Sequence, residues 1–135
     1  MGDIVDPRHE AYVEHIFIRI CGILDMRGFE LKALRRRKRG TGAFRSITYG
    51  YTYLTEKKIT VDLYTPKTMK PRKMDAIIRV ICHELAHHQE PPRACWWKGR
   101  RVTVVHHPRF WKQYKKNVLL MTKDDLLGEH FPLSK

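Results

Sequence analysis

The sequence lacks three features that would place it in common classes of protein. Its 135 residues contain no run of about 18 apolar residues, so no segment is predicted to span a bilayer. The three cysteines, Cys21, Cys82 and Cys95, are odd in number and widely spaced, which excludes a disulfide framework or a C-x-x-C zinc ribbon built from them. The first residues, MGDIVDPRHE, lack the basic start and apolar stretch of a secretory signal. We therefore expect a cytoplasmic protein (at the nucleoid, or nuclear if the source is eukaryotic), with no signal peptide and no membrane partner.

Acidic residues are also scarce. The chain has 14 Asp and Glu against 27 Lys and Arg, which gives a net charge of +13 and a pI near 10.0. Two stretches contain no acid at all: residues 31–55 carry seven Lys or Arg, and residues 91–123 carry nine. Such a surface attracts polyanions, of which nucleic acid is the commonest in a cytoplasm. A merely solvated basic face, or attraction to another polyanion, is the alternative.

Three segments have the apolar spacing of amphipathic helices. Residues 7–26 repeat apolar side chains every three or four positions, and Gly28 is predicted to end that helix. A second helix is predicted over residues 71–89, with Pro71 in its first turn. A third is predicted from Pro108 onward, through FWKQYKKNVLLM. Five side chains of this last helix are predicted to point inward: Phe110, Trp111, Tyr114, Val118 and Met121.

The remaining segments have the composition of strands. Residues 40–66 predict two antiparallel strands joined near residues 55–58. A shorter strand is predicted within residues 30–37, and another at 101–105 after a basic, tryptophan-rich connection. The predicted fold class is α+β, as one domain over residues 1–135. It would contain an N-terminal helix, a small and mostly antiparallel sheet, a central helix and a C-terminal helix.

The central helix carries the sequence RVICHELAHHQE, in which His83, Glu84 and His87 form an H-E-x-x-H motif. Because positions 83 and 87 are four residues apart, both imidazoles lie on one helix face, about 6 Å apart along the axis, and can bind one Zn²⁺. Glu84 lies beside His83, where a carboxylate can act as general base toward the attacking water. A chance match on an exposed helix is the alternative. His88 points away from this pair and is expected in solvent or behind the ligands.

A catalytic zinc site needs a third protein ligand and an open fourth position. The downstream candidates by residue type are Glu90, His106, His107, Asp124, Asp125 and Glu129. Glu90 immediately precedes two prolines, which makes its direction hard to aim at a metal. The paired histidines, at the junction of a strand and the last helix, are better placed. A pair of surface or capping histidines is the alternative interpretation.

The stretch VVHHPRFWKQY, residues 104–114, resembles the H-G-x-x-F element that follows H-E-x-x-H in SprT-like and Spartan-type zinc metalloproteases. More loosely, it resembles the H-x-x-x-F-W element of WLM and YgjP-like proteins. Aligning Phe110 with the family phenylalanine makes His106 the third ligand, 19 residues after His87, and puts His107 where the family has glycine. The resemblance covers essentially the whole chain but depends on two short motifs. The zinc ribbon common in SprT-like proteins is absent from these residues.

The resemblance implies a compact, zincin-like domain with one Zn²⁺ per chain, held by His83, His87 and His106. His107 would be an alternative ligand or lie behind the ligands, and both His107 and Tyr114 are candidates to stabilise the transition state. The implied activity is that of a zinc metalloendopeptidase. Since Spartan-type proteases act on proteins attached to DNA, the expected substrates are DNA-associated or DNA-crosslinked proteins, in DNA-protein crosslink repair. A monomer is expected.

The basic stretches supply candidate contacts to nucleic acid. The run LRRRKRG suits phosphate contacts that weaken as salt rises, and Trp96 and Trp97 suit stacking on unpaired bases. Packing of both tryptophans in the core or in a lid near the metal is the alternative. The candidates for binding single-stranded or junction-containing DNA are Arg35, Arg36, Arg37, Lys38, Arg39, Trp96, Trp97, Lys98, Arg100 and Arg101.

Two other functions stay open. One is a small metallopeptidase that needs no DNA, and the other is a nucleic-acid-binding module whose metal site is structural. Glu84 argues against the second, because a purely structural site has no need of an acid beside its first ligand.

Overall fold

The computed structural model describes residues 6–34, 50–64 and 70–131. These residues form an α+β fold, which confirms the predicted class, and none of their helices is long and apolar enough to cross a bilayer. The elements in chain order are α1 (Pro7–Leu24), β1 (Glu30–Leu34), β2 (Gly50–Thr52), β3 (Lys58–Asp62), α2 (Met74–Gln89), β4 (Arg93–Trp97), β5 (Arg100–Val104), α3 (Pro108–Lys123) and a 3-10 helix (Leu127–His130).

Helix α1 begins and ends beside an aspartate. The Asp6 carboxylate accepts two backbone N–H groups of the first turn, and Pro7 occupies the first helical position, where a missing N–H costs nothing. Asp25 ends the helix in the left-handed conformation, with φ 54°. The prediction that Gly28 ends it was wrong, because the short polar side chain of aspartate tolerates that conformation three residues earlier. The buried stripe consists of Val13, Ile16, Phe17 and Ile20.

The three-stranded sheet has the order β1-β3-β2. As predicted, β2 and β3 are antiparallel and joined by a turn over residues 53–57, whereas β1 pairs with β3 in parallel. Side-chain alternation identifies a strand but carries no information on the direction of its partner, so the parallel pairing had no local signal. The parts of the predicted strands that fall on residues 35–49 and 65–69 lie outside the described residues.

Helix α2 packs on this sheet and on α1. Its buried side chains include Ile77, Ile78 and Ile81, each worth roughly 2 kcal/mol when fully buried, so the rotation of the helix about its axis is strongly fixed. Pro71, predicted in the first turn, instead forms an isolated bridge with Tyr64, and the helix begins at Met74. That prediction was wrong because residues 71–72 pair with residues 63–64, which directly follow β3, instead of entering the helix.

Strands β4 and β5 form a separate two-stranded hairpin. The interpretation of residues 93–97 as a connection was wrong, since all five belong to β4. The turn consists of Lys98 and Gly99, both with positive φ, 49° and 75°, as in a type I′ turn. Lysine rarely occupies the first position of such a turn, which explains why the sequence did not reveal the hairpin.

Helix α3 packs mainly against α2. Of the five side chains predicted to point inward, Phe110 and Met121 are buried, and Tyr114 and Val118 are half-buried against the core. Trp111 is 42% exposed, so the prediction for this residue was wrong. Its ring covers a histidine instead of the core, as described below.

Candidate metal centre

Three imidazoles from two parts of the chain meet beside α2. His83 and His87 lie one turn apart on that helix, and His106 lies between β5 and α3. The Nε2 atom of His83 is 3.2 Å from Nε2 of His87 and 3.3 Å from Nε2 of His106. One ring nitrogen of each residue lies within 4.8 Å of those of the other two. The structure therefore brings together the three residues that the sequence predicted as ligands.

Hydrogen bonding alone does not account for these distances. A ring nitrogen has either one proton or one in-plane lone pair, so Nε2 of His83 cannot form two good hydrogen bonds. Zinc–nitrogen bonds of about 2.0–2.1 Å in tetrahedral geometry separate two ligand nitrogens by about 3.3 Å, which matches both spacings. Three imidazoles are also a ligand set found at catalytic zinc sites. The donor set and its spacing fit Zn²⁺.

Burial keeps two of these imidazoles neutral. It lowers the pKa of His83, with a smaller contribution from His106, and lowers the pKa of His87 to about 4, with smaller contributions from the neighbouring histidines. A histidine must present an unprotonated nitrogen to a metal. At neutral pH these two rings meet that requirement without first losing a proton.

An aromatic layer from α3 packs against the three imidazoles. The ring centroid of Phe110, which is fully buried, lies 5.0, 4.4 and 4.9 Å from those of His83, His87 and His106. Trp111 stacks on His106 at 5.5 Å, with 26° between the ring planes. Such ring pairs are worth about 0.5–1.5 kcal/mol each beyond burial, and their preferred geometries restrict ring orientation. Phe110 thus contacts all three clustered imidazoles as well as filling the interior.

Glu84 lies beside the ligands without being one of the clustered groups. Its side chain is 6% exposed, and it lines the same cleft as the three histidines. Burial raises the pKa of its carboxyl to about 7. A raised pKa makes this carboxylate a stronger base than that of an exposed glutamate.

The three histidines and Glu84 line a cleft of about 340 Å³. Strand β2 and the turn after it line the cleft through Gly50, Tyr51, Thr52 and Leu54, and the other lining residues are Pro92 and Val105. Tyr51, Leu54 and Val105 are exposed apolar side chains. The cleft is thus of a size to hold a small ligand or part of a peptide, with apolar side chains around the histidines and Glu84.

Gly50 is a residue of this site that the sequence analysis did not single out. A Cβ atom at this position would stand 2.7 Å from Cγ1 of Val80, 2.9 Å from the backbone oxygen of Thr60 and 3.5 Å from Oε2 of Glu84. Glycine therefore allows β2 to approach α2 closely at the position of Glu84. A single glycine within a tyrosine-rich segment gave no signal of this long-range contact.

His88 holds the same strand at its other end. The Thr52 hydroxyl donates to the carbonyl of Lys58 at 2.9 Å, so its oxygen accepts a hydrogen bond from Nε2–H of His88 at 2.7 Å. Gly50 and Thr52 are about 6.6 Å apart along the strand, and Glu84 and His88 are about 6 Å apart along the helix. Because the two spacings match, contacts at both ends align β2 with α2. His88 thus contacts Thr52 and Phe29 and is not one of the three clustered imidazoles.

His107 is engaged outside the three-histidine group. Its Nδ1 accepts the N–H of Phe110 at 3.2 Å as the N-cap of α3, and its Nε2 donates to the carbonyl of Pro91 at 2.8 Å. The side chain is 4% exposed and both ring nitrogens are used. His107 therefore ties the end of α2 to the start of α3 and fixes the backbone beside His106. Histidine is not a preferred N-cap residue, so the sequence did not point to this role.

The acidic candidates for the third ligand lie apart from the histidines. Glu90 is the C-cap of α2. Asp124 accepts hydrogen bonds from the guanidinium of Arg19 at 2.7 and 3.0 Å, which links α3 to α1 and lowers the pKa of Asp124. Asp125 and Glu129 are exposed. Among the described residues, none of these acids joins the clustered nitrogens of the three histidines.

The remaining predicted residues fall into three places. The ring centroid of Tyr114 lies 5.8 Å from that of His83. The basic run Arg35, Arg36, Arg37, Lys38 and Arg39 lies outside the described residues. The candidates Trp96, Trp97, Lys98, Arg100 and Arg101 all lie on the β4–β5 hairpin and are all exposed. Core packing of the two tryptophans is thereby excluded.

Neither a family model nor a curated protein matches this chain. Among solved structures, the chain is similar to the metallopeptidase zymogen of Pyrococcus abyssi abylysin, with 17% sequence identity and a TM-score of 0.46. The similarity covers 87% of this chain and 86% of that chain. This likeness is too distant to define a family.

Proposed function

We propose that this chain is a zinc-dependent metalloendopeptidase of the H-E-x-x-H type, with one Zn²⁺ held by His83, His87 and His106. The observation that carries the proposal is the convergence of three imidazole nitrogens beside a buried glutamate in an open cleft. Structural zinc sites are closed by four protein ligands, whereas three ligands at an open cleft leave a position for water or substrate. The arrangement favours catalysis over a nucleic-acid-binding module with a structural metal.

Glu84 is the proposed general base. When bound, Zn²⁺ acts as a Lewis acid and lowers the pKa of water toward 7. Glu84 takes a proton from the water that attacks the scissile carbonyl and passes it to the nitrogen of the leaving amine. Its buried position beside His83 supports this role, and Gly50 leaves the carboxylate room against β2.

Tyr114 is the proposed stabiliser of the negative charge that develops on the carbonyl oxygen. Its ring lies beside that of His83 and is half-buried, so the side chain is close to the proposed ligands. The other candidate for this role, His107, already uses both ring nitrogens to hold Pro91 and Phe110. We assign His107 a positioning role instead.

The proposed substrates are proteins associated with or crosslinked to DNA, cleaved by a monomer. The net charge of +13 supports this substrate class, because it concentrates DNA near the protein. The acid-free stretch 91–123 also contributes Pro92, Val105 and His106 to the cleft. The cleft suits equally a peptidase that needs no DNA. For a DNA-independent peptidase, we expect that added DNA does not change the rate of cleavage.

The experiment that tests the proposal compares Glu84→Gln with the zinc-loaded wild type on an unfolded basic protein substrate. We expect Glu84→Gln to bind zinc and fold like the wild type while cleavage slows by about 10²- to 10⁴-fold, since the amide cannot accept the proton. Glu90→Gln is the matched control, because it makes the same change at the end of α2, outside the cluster. Cleavage by Glu84→Gln at the wild-type rate would contradict the proposed mechanism.

Adding single-stranded or double-stranded DNA to the same assay separates the two candidate functions. Faster cleavage with DNA supports DNA-associated proteins as the substrate class. An unchanged rate, measured at about 50 mM salt where phosphate contacts are strong, supports the DNA-independent peptidase.

A further inference from the structure

The β4–β5 hairpin exposes aromatic surface, and this surface packs very little on the rest of the described chain. Every residue of β4 is exposed, and Trp96 and Trp97 have 75% and 63% of their surface accessible. Tryptophan is normally well buried, because it carries the largest apolar surface of any side chain. Two consecutive exposed tryptophans on a projecting hairpin therefore indicate a surface that meets a partner.

Each face of the hairpin carries one tryptophan beside one arginine. Trp96 pairs across the strands with Arg101, and Trp97 pairs with Arg100. Cross-strand partners share a face, whereas successive residues of a strand lie on opposite faces. Both faces therefore combine an indole with a guanidinium. The tip adds Lys98, whose Nζ lies 5.6 Å from the ring centroid of Trp97.

We infer that this hairpin is a docking element for single-stranded DNA, an inference that rests on the proposed function for its choice of DNA. Unpaired bases stack on exposed indoles, and arginine and lysine bind the phosphates between them. The hairpin carries Arg93, Lys98, Arg100 and Arg101 and no acid, so its charge is complementary to the DNA backbone. Paired bases in a duplex are already stacked and offer no free ring to either tryptophan.

The placement of the tryptophans also argues against a lipid surface as the partner. Side chains that enter a bilayer interface have to share one face, so that the opposite, polar face stays in water. Here the two indoles lie on opposite faces, each beside a charged guanidinium. A strand of DNA can contact both faces by passing around the tip, since each base binds independently.

The hairpin is joined to the cleft at both of its ends. Pro92 directly precedes β4, and Val105 and His106 directly follow β5; all three line the cleft. The hydrogen bond from His107 to the carbonyl of Pro91 closes the base of the hairpin. Five residues of strand span about 16 Å, so DNA held at the tip lies within that distance of the cleft. A protein attached to such DNA would be presented to Glu84.

The test measures binding of a fluorescent 15-nucleotide oligo(dT) to the full chain by anisotropy, at about 50 mM salt. We expect Trp96→Ala and Trp97→Ala each to weaken binding on the order of ten-fold. Trp96→Phe and Trp97→Phe should retain most of the wild-type affinity, because phenylalanine keeps an aromatic ring for stacking. Oligo(dT) should also quench tryptophan emission in the wild type, and the double alanine variant, which keeps only Trp111, should lose that quenching. Wild-type affinity in the double alanine variant would overturn the inference.

A matched pair of charge variants separates local contacts from general attraction. Arg100→Gln with Arg101→Gln should reduce the slope of log affinity against log salt by about 1.4, because two phosphate contacts are lost at about 0.7 each. Lys115→Gln with Lys116→Gln removes the same charge from exposed positions on α3 and should change the slope much less. Equal losses in the two pairs would contradict a binding site on the hairpin.

Three further ligands complete the test. A duplex of the same length that binds as tightly as oligo(dT), and equally well to the double alanine variant, would overturn the stacking contacts. Tighter binding of the RNA of equal length would contradict the assignment to DNA. Binding of vesicles of phosphatidylserine and phosphatidylcholine through the tryptophans, with no binding of oligo(dT), would replace DNA by a lipid surface.

Failure of this inference and failure of the proposed function give different results. Glu84→Gln should bind oligo(dT) with wild-type affinity while cleavage is lost, and the double alanine variant should cleave a DNA-free unfolded protein at the wild-type rate. A lower zinc content or a lower unfolding midpoint in the double alanine variant would show that the tryptophans stabilise the fold. That result would overturn their assignment to a partner.

Discussion

The candidate metal centre and the β4–β5 hairpin are adjacent in sequence, yet their aromatic side chains have opposite surroundings. Phe110 is fully buried and contacts three imidazoles, whereas Trp96 and Trp97 are largely exposed. In the centre, packing restricts the orientation of rings that must hold one geometry. On the hairpin, the rings are free to meet a ligand. The difference separates residues that shape the site from residues available to a partner.

The largest expected effect is a contrast between aromatic truncations in the two regions. Phe110→Ala should lower the free energy of unfolding by about 3–5 kcal/mol, because it opens a cavity in a packed interior. It should also weaken zinc binding, since all three imidazoles lose their shared neighbour. Trp96→Ala, at an exposed position, should change stability by no more than about 0.5 kcal/mol. Urea unfolding and zinc titration measure both quantities. Equal destabilisation by the two substitutions would remove the contrast.

A second contrast compares two glycines. Gly50→Ala places a Cβ atom 2.9 Å from the Thr60 backbone oxygen and 2.7 Å from Val80, so β2 has to move away from α2 at a cost of about 1–3 kcal/mol. Because that movement changes the surroundings of Glu84, we expect kcat to fall at least about ten-fold. Gly99→Ala meets no atom within 4 Å and strains only a left-handed turn with φ 75°, at about 1 kcal/mol. Full activity in Gly50→Ala would contradict the positioning role of Gly50.

The sequence predicted the parts of this molecule that depend on short-range order. The helical periods of α1, α2 and α3, the strands β2 and β3 and the α+β class are all present in the structure. His83, Glu84 and His87 are placed by the period of a single helix, so their shared face followed from spacing alone. His106 is indicated only by a motif, because its approach to His83 depends on how α3 packs on α2.

Features that depend on distant partners had no signal in the sequence. The contact of Gly50 with α2, the bond from His88 to Thr52 and the bond from His107 to the carbonyl of Pro91 each join residues whose meeting is decided by packing. Strand β4 was missed for a different reason. All five of its residues are exposed, so neither face shows the apolar alternation by which strands are recognised.

The central claim, that His83, His87 and His106 hold one zinc ion, is tested most directly by counting zinc. Wild type, His106→Ala and His107→Ala would be loaded with zinc, dialysed and analysed by inductively coupled plasma mass spectrometry, with the exposed His15→Ala as control. We predict one zinc per chain in the wild type and in His15→Ala, a reduced but measurable content in His107→Ala, and almost none in His106→Ala. A full complement of zinc in His106→Ala would contradict the account.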